Sequence, residues 1–191
     1  MRVEPDSAMI QAVSAGVKLF QYRNKSGTRK MIYETARLLA QAARKAGVLF
    51  VVNDHADIAA AVDADGVHLG QDDLPIEAAR KLLGGQKIIG ISTHSREQAI
   101  AAEASGADYI GFGPVYATST KEAGRTQGTG SLASIVNAVS IPVIAIGGIN
   151  SGNVQLVMKA GAAGAAVISA VLSAPGMKQA AELMIKNMRN A

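Results

Sequence analysis

Residues 46–53, AGVLFVVN, show the pattern on which the prediction of the fold rests, a glycine followed by a short apolar run. The preceding stretch, Thr28–Ala46, has its apolar residues at helical spacing, which predicts a helix with one apolar stripe (Met31, Ile32, Leu38, Leu39, Ala42, Ala43 and Ala46). Glycine commonly ends helices. The run after it is apolar on both faces, as in a strand of a parallel sheet covered by helices. The stretch therefore predicts one helix–strand unit.

The same unit recurs along the chain. Gly16, Gly106 and Gly161 stand, like Gly47, where a predicted helix gives way to a predicted strand. The predicted strands are Val17–Arg23, Val48–Asn53, Gly66–Leu69, Lys87–Ser92, Tyr109–Gly113, Val143–Ile146 and Ala165–Ile168. Repeats of this kind form either an open doubly wound sheet or a closed (β/α)8 barrel, and periodicity alone does not choose between them.

The first predicted element is a helix, Asp6–Ala15, with Met9, Ile10 and Val13 on one face. A (β/α)8 barrel begins with a strand and has eight of them, whereas the seven runs above leave one strand unaccounted for. For a barrel, the first strand is therefore expected to be missing from this chain, because the native start lies upstream or because the strand has been lost. We expect residues 1–191 to form a single domain.

Composition narrows the class of protein. The chain has 191 residues, a net charge of +4 and no cysteine, so disulfides, zinc–thiolate sites and cysteine nucleophiles are excluded. Scattered basic residues and an aromatic content of 4% disfavour a nucleic-acid surface. No apolar run is long enough for a transmembrane helix, and the start does not resemble a signal peptide. We expect a cytoplasmic protein with small-molecule ligands, without nucleic-acid or membrane partners, and leave open whether it forms a homo-oligomer.

The first candidate site follows the first predicted strand, at Gln21-Tyr22-Arg23-Asn24-Lys25. Alternation along a strand places Gln21 and Arg23 on one face, and Lys25 continues that line if the chain stays extended. An arginine that points into a barrel interior is costly unless an anion or a carboxylate meets it. A structural ion pair is one interpretation; two cations and an amide at a strand end favour the other, a phosphate ligand.

Carboxylates follow two further predicted strands. Asp54 comes after Asn53, and Asp73 ends the run Gly70-Gln71-Asp72-Asp73. Each aspartate taken alone is typical of a helix N-cap, and Pro75 supports that interpretation for Asp73. Carboxylates beside a phosphate site repel the ligand unless a divalent cation lies between them, and Mg²⁺ takes one or two carboxylates plus phosphate oxygens. Together with the cations above, they predict a metal-bound pyrophosphate group.

Two further groups lie later in the chain. The segment after the Tyr109–Gly113 strand is long and polar, which favours a functional loop over an ordinary solvated one; it contains Thr118, Ser119, Thr120, Lys121, Gly124, Gly128 and Gly130. Gly147-Gly148 permits close backbone approach, and Ile168-Ser169 follows the next strand, where phosphate-binding barrels offer backbone N–H groups. We expect His68 to be a core residue and leave the roles of His55 and His94 open.

In this order the motifs resemble the thiamine-phosphate synthase family, over Val17 to about Leu172. The matching runs are residues 21–25, 53–54, 68–73, 113–114, 118–121 and 146–149. The resemblance implies a (β/α)8 TIM-type barrel. It also implies a transferase of thiamine biosynthesis that joins hydroxymethylpyrimidine diphosphate to a thiazole phosphate, giving thiamine phosphate and pyrophosphate. The family reaction is an Mg²⁺-assisted, dissociative loss of pyrophosphate.

The resemblance also assigns roles to residues. Those implied to hold the diphosphate are Gln21, Arg23, Lys25 and Asn53, and those implied to hold Mg²⁺ are Asp54 and Asp73. Ser92, Thr118, Thr120 and Lys121 would close over the substrates and the leaving group, while Gly148, Ile168 and Ser169 would receive the thiazole phosphate. Among these residues, Arg23, Lys25, Ser92 and Lys121 are the expected catalytic ones.

Two other interpretations remain. A thiazole tautomerase-like paralogue shares the fold, but such relatives generally lack the paired aspartates and the Thr-x-Thr-Lys run found here. A truncated, non-catalytic phosphate-binding barrel would account for the missing strand, although the intact set of ligand residues disfavours it. Asn24 stands where family members commonly have an acidic residue, a change expected to have little effect.

Overall fold

The computed structural model describes residues 5–118 and 125–191. The chain divides into two compact units, Met1–Gly90 and Ile91–Ala191. Each unit is described by itself below. The prediction of a single domain stays a prediction.

The first unit alternates helices with strands. Its elements are α1 (Pro5–Ser14), β1 (Leu19–Tyr22), α2 (Arg29–Ala46), β2 (Leu49–Asn53), α3 (Ala56–Ala61), β3 (Gly66–Leu69) and α4 (Ile76–Leu83). β1 pairs with β2 and β2 with β3, both in parallel, with Gln21 beside Val51 and Asn53 beside His68. Strand β4 (Ile88–Thr93) runs across the boundary between the units.

The second unit continues the alternation. Its elements are α5 (Arg96–Ala104), β5 (Tyr109–Phe112), α6 (Gly128–Val136), β6 (Val143–Ile146), α7 (Val154–Lys159), β7 (Gly164–Ala166), α8 (Ser169–Leu172) and α9 (Met177–Arg189). β5 pairs with β6 and β6 with β7, again in parallel. Among the described residues the sheet has seven strands in sequence order. The predicted parallel α/β sheet is confirmed, with all seven strand positions correct to within two residues.

Helix α2 begins and ends where the sequence predicts. The Thr28 side chain accepts a hydrogen bond from the Met31 N–H, and Gly47 ends the helix in the left-handed conformation with φ 66°. The predicted apolar stripe is wrong in part, because Met31 and Leu38 are 57% and 55% exposed. The buried face is centred on small residues instead; it comprises Ile32, Ala36, Leu39, Ala40 and Ala43.

Helix α1 is present as predicted, but its buried face is turned from the predicted one. Met9 is buried together with Ala8 and Ala12, whereas Ile10 is 64% exposed. Successive helical residues are about 100° apart, so Ala8 and Ile10 lie on opposite sides of Met9, and the buried face extends toward Ala8 and Ala12 rather than toward Ile10. The alanines that lie on the same side as Met9 therefore fix the packed face.

The strands are buried as a covered parallel sheet requires. Phe50, Val51 and Val52 of β2 are at most 1% exposed, and all four residues of β3 are buried. His68 of β3 is 8% exposed, which confirms the prediction that it is a core residue. Within the described ranges, no helix is both long and apolar enough to cross a membrane.

Candidate functional site

The carboxyl ends of β1 and β2 bring Gln21 and Asn53 together. The Gln21 Nε2 donates a hydrogen bond to the Asn53 Oδ1 at 2.6 Å, although the residues lie 32 positions apart in the chain. Asn53 is buried and Gln21 is half-buried. Because each amide orients the other, this strand end presents two polar groups in a defined arrangement.

Lys25 and Asp54 form an ion pair beside these amides, with the Lys25 Nζ 3.4 Å from the Asp54 Oδ2. Asp54 adopts a left-handed backbone with φ 66°, and its N–H donates to the His68 carbonyl oxygen at 2.9 Å. A non-glycine residue in this conformation is uncommon, and such residues cluster at functional sites. Asp54 is not the N-cap of α3, because His55 occupies that position.

Asp73 lies next to this pair. Its Oδ2 accepts a hydrogen bond from the Gly70 N–H at 2.7 Å, and Pro75, not Asp73, is the N-cap of α4. The helix-cap interpretation of both aspartates is therefore wrong. Burial raises the pKa of Asp73, and the nearby Asp54 carboxyl raises it further, while the Gly70 N–H and Lys25 oppose the shift.

These two carboxyls suit a divalent cation. A positive ion between them would offset the repulsion that contributes to the raised pKa of Asp73. Within residues 5–118 and 125–191, no cluster of three or more histidine, aspartate, glutamate or cysteine side chains could hold a metal alone. The remaining ligands would have to be phosphate oxygens and water, which is the pattern typical of Mg²⁺.

Arg23 lies one residue beyond β1 and is exposed. The expectation that the Arg23 side chain points into the interior is therefore wrong, because β1 ends at Tyr22 and Arg23 lies beyond the strand. The described part of the chain contains no ion pair to Arg23. A cavity of about 200 Å³ lies beside Lys25 and Asp54; it is lined by Asn24, Lys25, Gly27, Arg29, Ile32, Asp54 and His55.

In the second unit, the segment after β5 packs against the end of β6. The N–H groups of Val115 and Tyr116 donate to the carbonyl oxygens of Ile146 and Gly147, at 2.9 and 3.0 Å. A Cβ on Gly148 would lie 2.4 Å from the Ala117 oxygen, so only glycine permits this contact. Gly148 thus permits a close approach of the chain's own backbone, and the predicted approach of this backbone to a phosphate stays a prediction.

The remaining predicted residues are distributed as follows. Ser92, on β4, and Thr118 are both half-buried, while Thr120 and Lys121 lie outside the described residues. Ile168 is not in a strand, because β7 ends at Ala166, and Ile168 is instead the N-cap residue of α8. Ser169 is exposed. The Tyr116 hydroxyl, which was not predicted, is buried and has no hydrogen-bond partner among the described residues.

Two functional candidates were not found from the sequence. The His94 Nδ1 lies 2.6 Å from the Gly113 carbonyl oxygen, and the Gln127 Nε2 donates to the His94 carbonyl oxygen at 3.1 Å. Neither side chain belongs to a recognisable motif. A hydrogen bond between residues 33 positions apart leaves no local signal in the sequence.

Comparison with known proteins agrees with the resemblance seen in the sequence. A family model described as thiamine monophosphate synthase matches residues 6–171. The chain is 45% identical to a thiamine-phosphate synthase of Shouchella clausii and 46% identical to one of Persephonella marina, in each case over 96% of this chain and 88% of the relative. A solved thiamine phosphate pyrophosphorylase from Pyrococcus furiosus superposes with a TM-score of 0.92 at 41% identity, over 99% of this chain and 91% of that one.

Proposed function

This chain belongs to the thiamine monophosphate synthase family, and we propose that it joins hydroxymethylpyrimidine diphosphate to a thiazole phosphate. The carbon–oxygen bond to the diphosphate breaks, pyrophosphate leaves, and the thiazole nitrogen bonds to the released carbon to give thiamine phosphate. The adjacent carboxyls of Asp54 and Asp73, with Lys25 beside them, support this proposal most strongly. They lie at the carboxyl ends of strands, where barrel enzymes have their active sites.

Loss of pyrophosphate needs charge neutralisation more than it needs a strong base. Bound between Asp54 and Asp73, Mg²⁺ would supply part of that neutralisation. Lys25 and Arg23 supply the rest from this unit, since the Lys25 side chain is 59% exposed and its ammonium can also reach an added phosphate. The hydrogen-bonded amides of Gln21 and Asn53 hold the same diphosphate and fix its orientation.

The remaining substrate-binding and catalytic roles are assigned to residues of the second unit. Ser92, Thr118, Thr120 and Lys121 contact the substrates and the leaving group, with Ser92 and Lys121 as catalytic residues. Gly148, Ile168 and Ser169 take the thiazole phosphate. Supporting these assignments are the positions of Thr118 and Gly148 just beyond the carboxyl ends of β5 and β6.

We also propose that the sheet is part of a (β/α)8 TIM-type barrel in which β1 is the second strand. A helix, α1, precedes β1, and among the described residues β1 pairs with β2 alone. The high similarity to the Pyrococcus furiosus structure, of which this chain covers 91%, supports that assignment. A cytoplasmic location suits a chain without cysteine.

The decisive experiment is an assay of thiamine phosphate formation from both substrates, with and without Mg²⁺. We expect Mg²⁺-dependent product, and we expect Asp54→Asn to lower the rate by about 100-fold or more, because one charge next to the leaving group is lost. Asparagine tolerates the left-handed backbone of Asp54, so the fold should persist.

Asp63→Asn is the matched control. Asp63 is also an ion-paired aspartate with a positive φ, 53°, in the same unit, and its replacement should leave the rate within about twofold, because surface ion pairs contribute little. Absence of product from folded wild-type protein would overturn the proposed synthase activity. Equal loss in both variants would overturn the metal-site assignment.

A further inference from the structure

The segment Gly113–Thr118 of the second unit is fastened at its start to a later part of the chain. The Gln127 N–H donates to the Pro114 carbonyl oxygen at 2.8 Å, and the Gly128 N–H donates to the Val115 carbonyl oxygen at 3.0 Å. The residues that follow β5 therefore lie in contact with the start of α6.

Three hydrogen-bonding side chains, called here the polar clamp, meet at the start of this segment: His94, Gln98 and Gln127. The His94 Nδ1 lies 2.6 Å from the Gly113 carbonyl oxygen. Because a carbonyl oxygen only accepts, this nitrogen must carry the hydrogen. The Gln127 Nε2 donates to the His94 carbonyl oxygen at 3.1 Å, and the Gln98 Oε1 accepts from the His94 N–H at 2.7 Å. His94 is thus held on both of its backbone polar groups.

The clamp acts on a segment that is otherwise closely packed. Gly113, Pro114 and Val115 are buried, and the N–H groups of Val115 and Tyr116 bond to the end of β6. Exposure increases after them: Ala117 is exposed and Thr118 is half-buried. A small rotation at Gly113 would therefore displace Thr118, which lies at the outer end of the segment.

We propose that His94 and Gln127 are positioning residues for the synthase reaction, which act by holding Gly113–Thr118 in place. This inference rests on the proposed function, since Thr118 is assigned to substrate there. His94 is itself exposed, so its hydrogen bonds contribute little to stability. We expect the loss of these hydrogen bonds to change the position of Gly113–Thr118, and a small displacement of substrate-binding groups lowers the rate of an enzyme by a large factor.

Replacement of His94 separates the positioning role from a merely structural one. His94→Leu removes the donor, whereas His94→Asn keeps an N–H donor near the position of Nδ1. We expect His94→Leu to lower kcat by about 10- to 100-fold and to leave the KM for hydroxymethylpyrimidine diphosphate unchanged. His94→Asn should recover most of the lost rate. Gln127→Met should resemble His94→Leu.

Glu103→Leu is the matched control for loss of a tether. The Glu103 Oε1 accepts hydrogen bonds from the Ser140 N–H at 2.7 Å and from the Ile141 N–H at 3.3 Å, before the start of β6 and at the opposite ends of the strands. We expect this variant to keep the wild-type kcat. A matching fall in kcat for Glu103→Leu, an unchanged kcat in His94→Leu, or a failure of His94→Asn to restore the rate would overturn the inference.

Amide hydrogen exchange gives a readout that does not depend on catalysis. In His94→Leu, the amides of Gln127 and Gly128 should exchange about tenfold faster than in the wild-type protein, because exchange follows local opening. A wild-type chain that makes no thiamine phosphate would overturn the proposed function. Amide hydrogen exchange alone would then test whether the polar clamp holds the segment in place. Unchanged exchange at the amides of Gln127 and Gly128 in His94→Leu would overturn the inference about the polar clamp.

Discussion

Two aspartates of the first unit, Asp54 and Asp63, have the same local geometry and opposite surroundings. Both have a positive φ, of 66° and 53°, and both pair with a lysine. Asp54 follows β2 and has a second carboxyl, Asp73, beside it. Asp63 precedes β3 and has two cations within reach, with its Oδ1 2.5 Å from the Lys87 Nζ and its Oδ2 2.8 Å from the Arg44 Nη2.

The pKa values follow this difference. The hydrogen bond and charge of Lys87 lower the pKa of Asp63, whereas burial and the neighbouring carboxyl raise the pKa of Asp73. At the amino ends one carboxylate, Asp63, is shared by two cations, whereas at the carboxyl ends two carboxyls, Asp54 and Asp73, lie beside one lysine, Lys25. The arrangement at the amino ends is typical of a structural ion pair, and the arrangement at the carboxyl ends is typical of a functional site.

The lysines of the two pairs provide the strongest test of this contrast. Lys25→Met should lower the rate of thiamine phosphate formation by about 100-fold, because a cation near the leaving group is lost, with little change in stability. Lys87→Met should keep the rate within about twofold and lower the free energy of unfolding by up to about 1 kcal/mol. Steady-state rates and chemical denaturation measure both quantities. A larger rate loss in Lys87→Met than in Lys25→Met would contradict the contrast.

Asp73 should show a conflict between stability and function. Asp73→Asn keeps an acceptor for the Gly70 N–H but removes one of two neighbouring carboxyls, so at pH 7 it should raise the free energy of unfolding by up to about 1 kcal/mol. We expect Mg²⁺ with pyrophosphate to raise the melting temperature of the wild-type protein, and we expect Asp73→Asn to abolish that increase.

Asp65→Asn is the matched control for that prediction. The Asp65 Oδ2 accepts a hydrogen bond from the Phe50 N–H at 2.7 Å, much as Asp73 does from Gly70, but at the amino ends of the strands. This variant should not be stabilised and should keep the Mg²⁺ effect. A stabilised Asp65→Asn, or a wild-type-like Mg²⁺ effect in Asp73→Asn, would count against a metal site at Asp73.

The smallest expected effect is the pH dependence of the Asp63 pair. Because the pKa of Asp63 is lowered in the folded protein from its ordinary value of 3.8, the folded state favours the ionised carboxylate. The stability it contributes is present above pH 3.8 and is lost as the pH falls further. The difference in unfolding free energy between the wild-type protein and Asp63→Asn should therefore shrink as the pH falls through 3.8 and below it. A difference that grows toward low pH would refute this sign.

The order of elements could be predicted because each strand is a short apolar run and glycine often ends the helix before it. Gly47, for example, has the left-handed φ of 66° that its position predicts. Which face of each helix packs against the core was predicted less accurately. Met9 and Ile10 are neighbours of similar hydrophobicity, yet one is 1% exposed and the other 64%, because the packing of α1 against α2 selects the face.

The candidate site could be predicted as a set of residue types at strand ends, but not as a set of contacts. Asp54 and Asp73, taken singly, are typical of helix caps, but in the structure His55 and Pro75 are the N-cap residues, and the two aspartates lie beside each other and Lys25. His94 and Gln127 belong to no motif, and each makes its bond across a long stretch of chain. The assignments to Mg²⁺, diphosphate and thiazole phosphate stay predictions.

Local chemistry, read along the chain, was enough to determine the alternation of helices and strands, the family, and the identities of the polar residues that follow the strands. The tertiary structure alone decided which of those residues meet: Gln21 with Asn53, Lys25 with Asp54, and Asp54 with Asp73. The physical reason is register. Parallel pairing sets Gln21 beside Val51 and Asn53 beside His68, and a shift by one residue would turn each side chain to the other face of its strand.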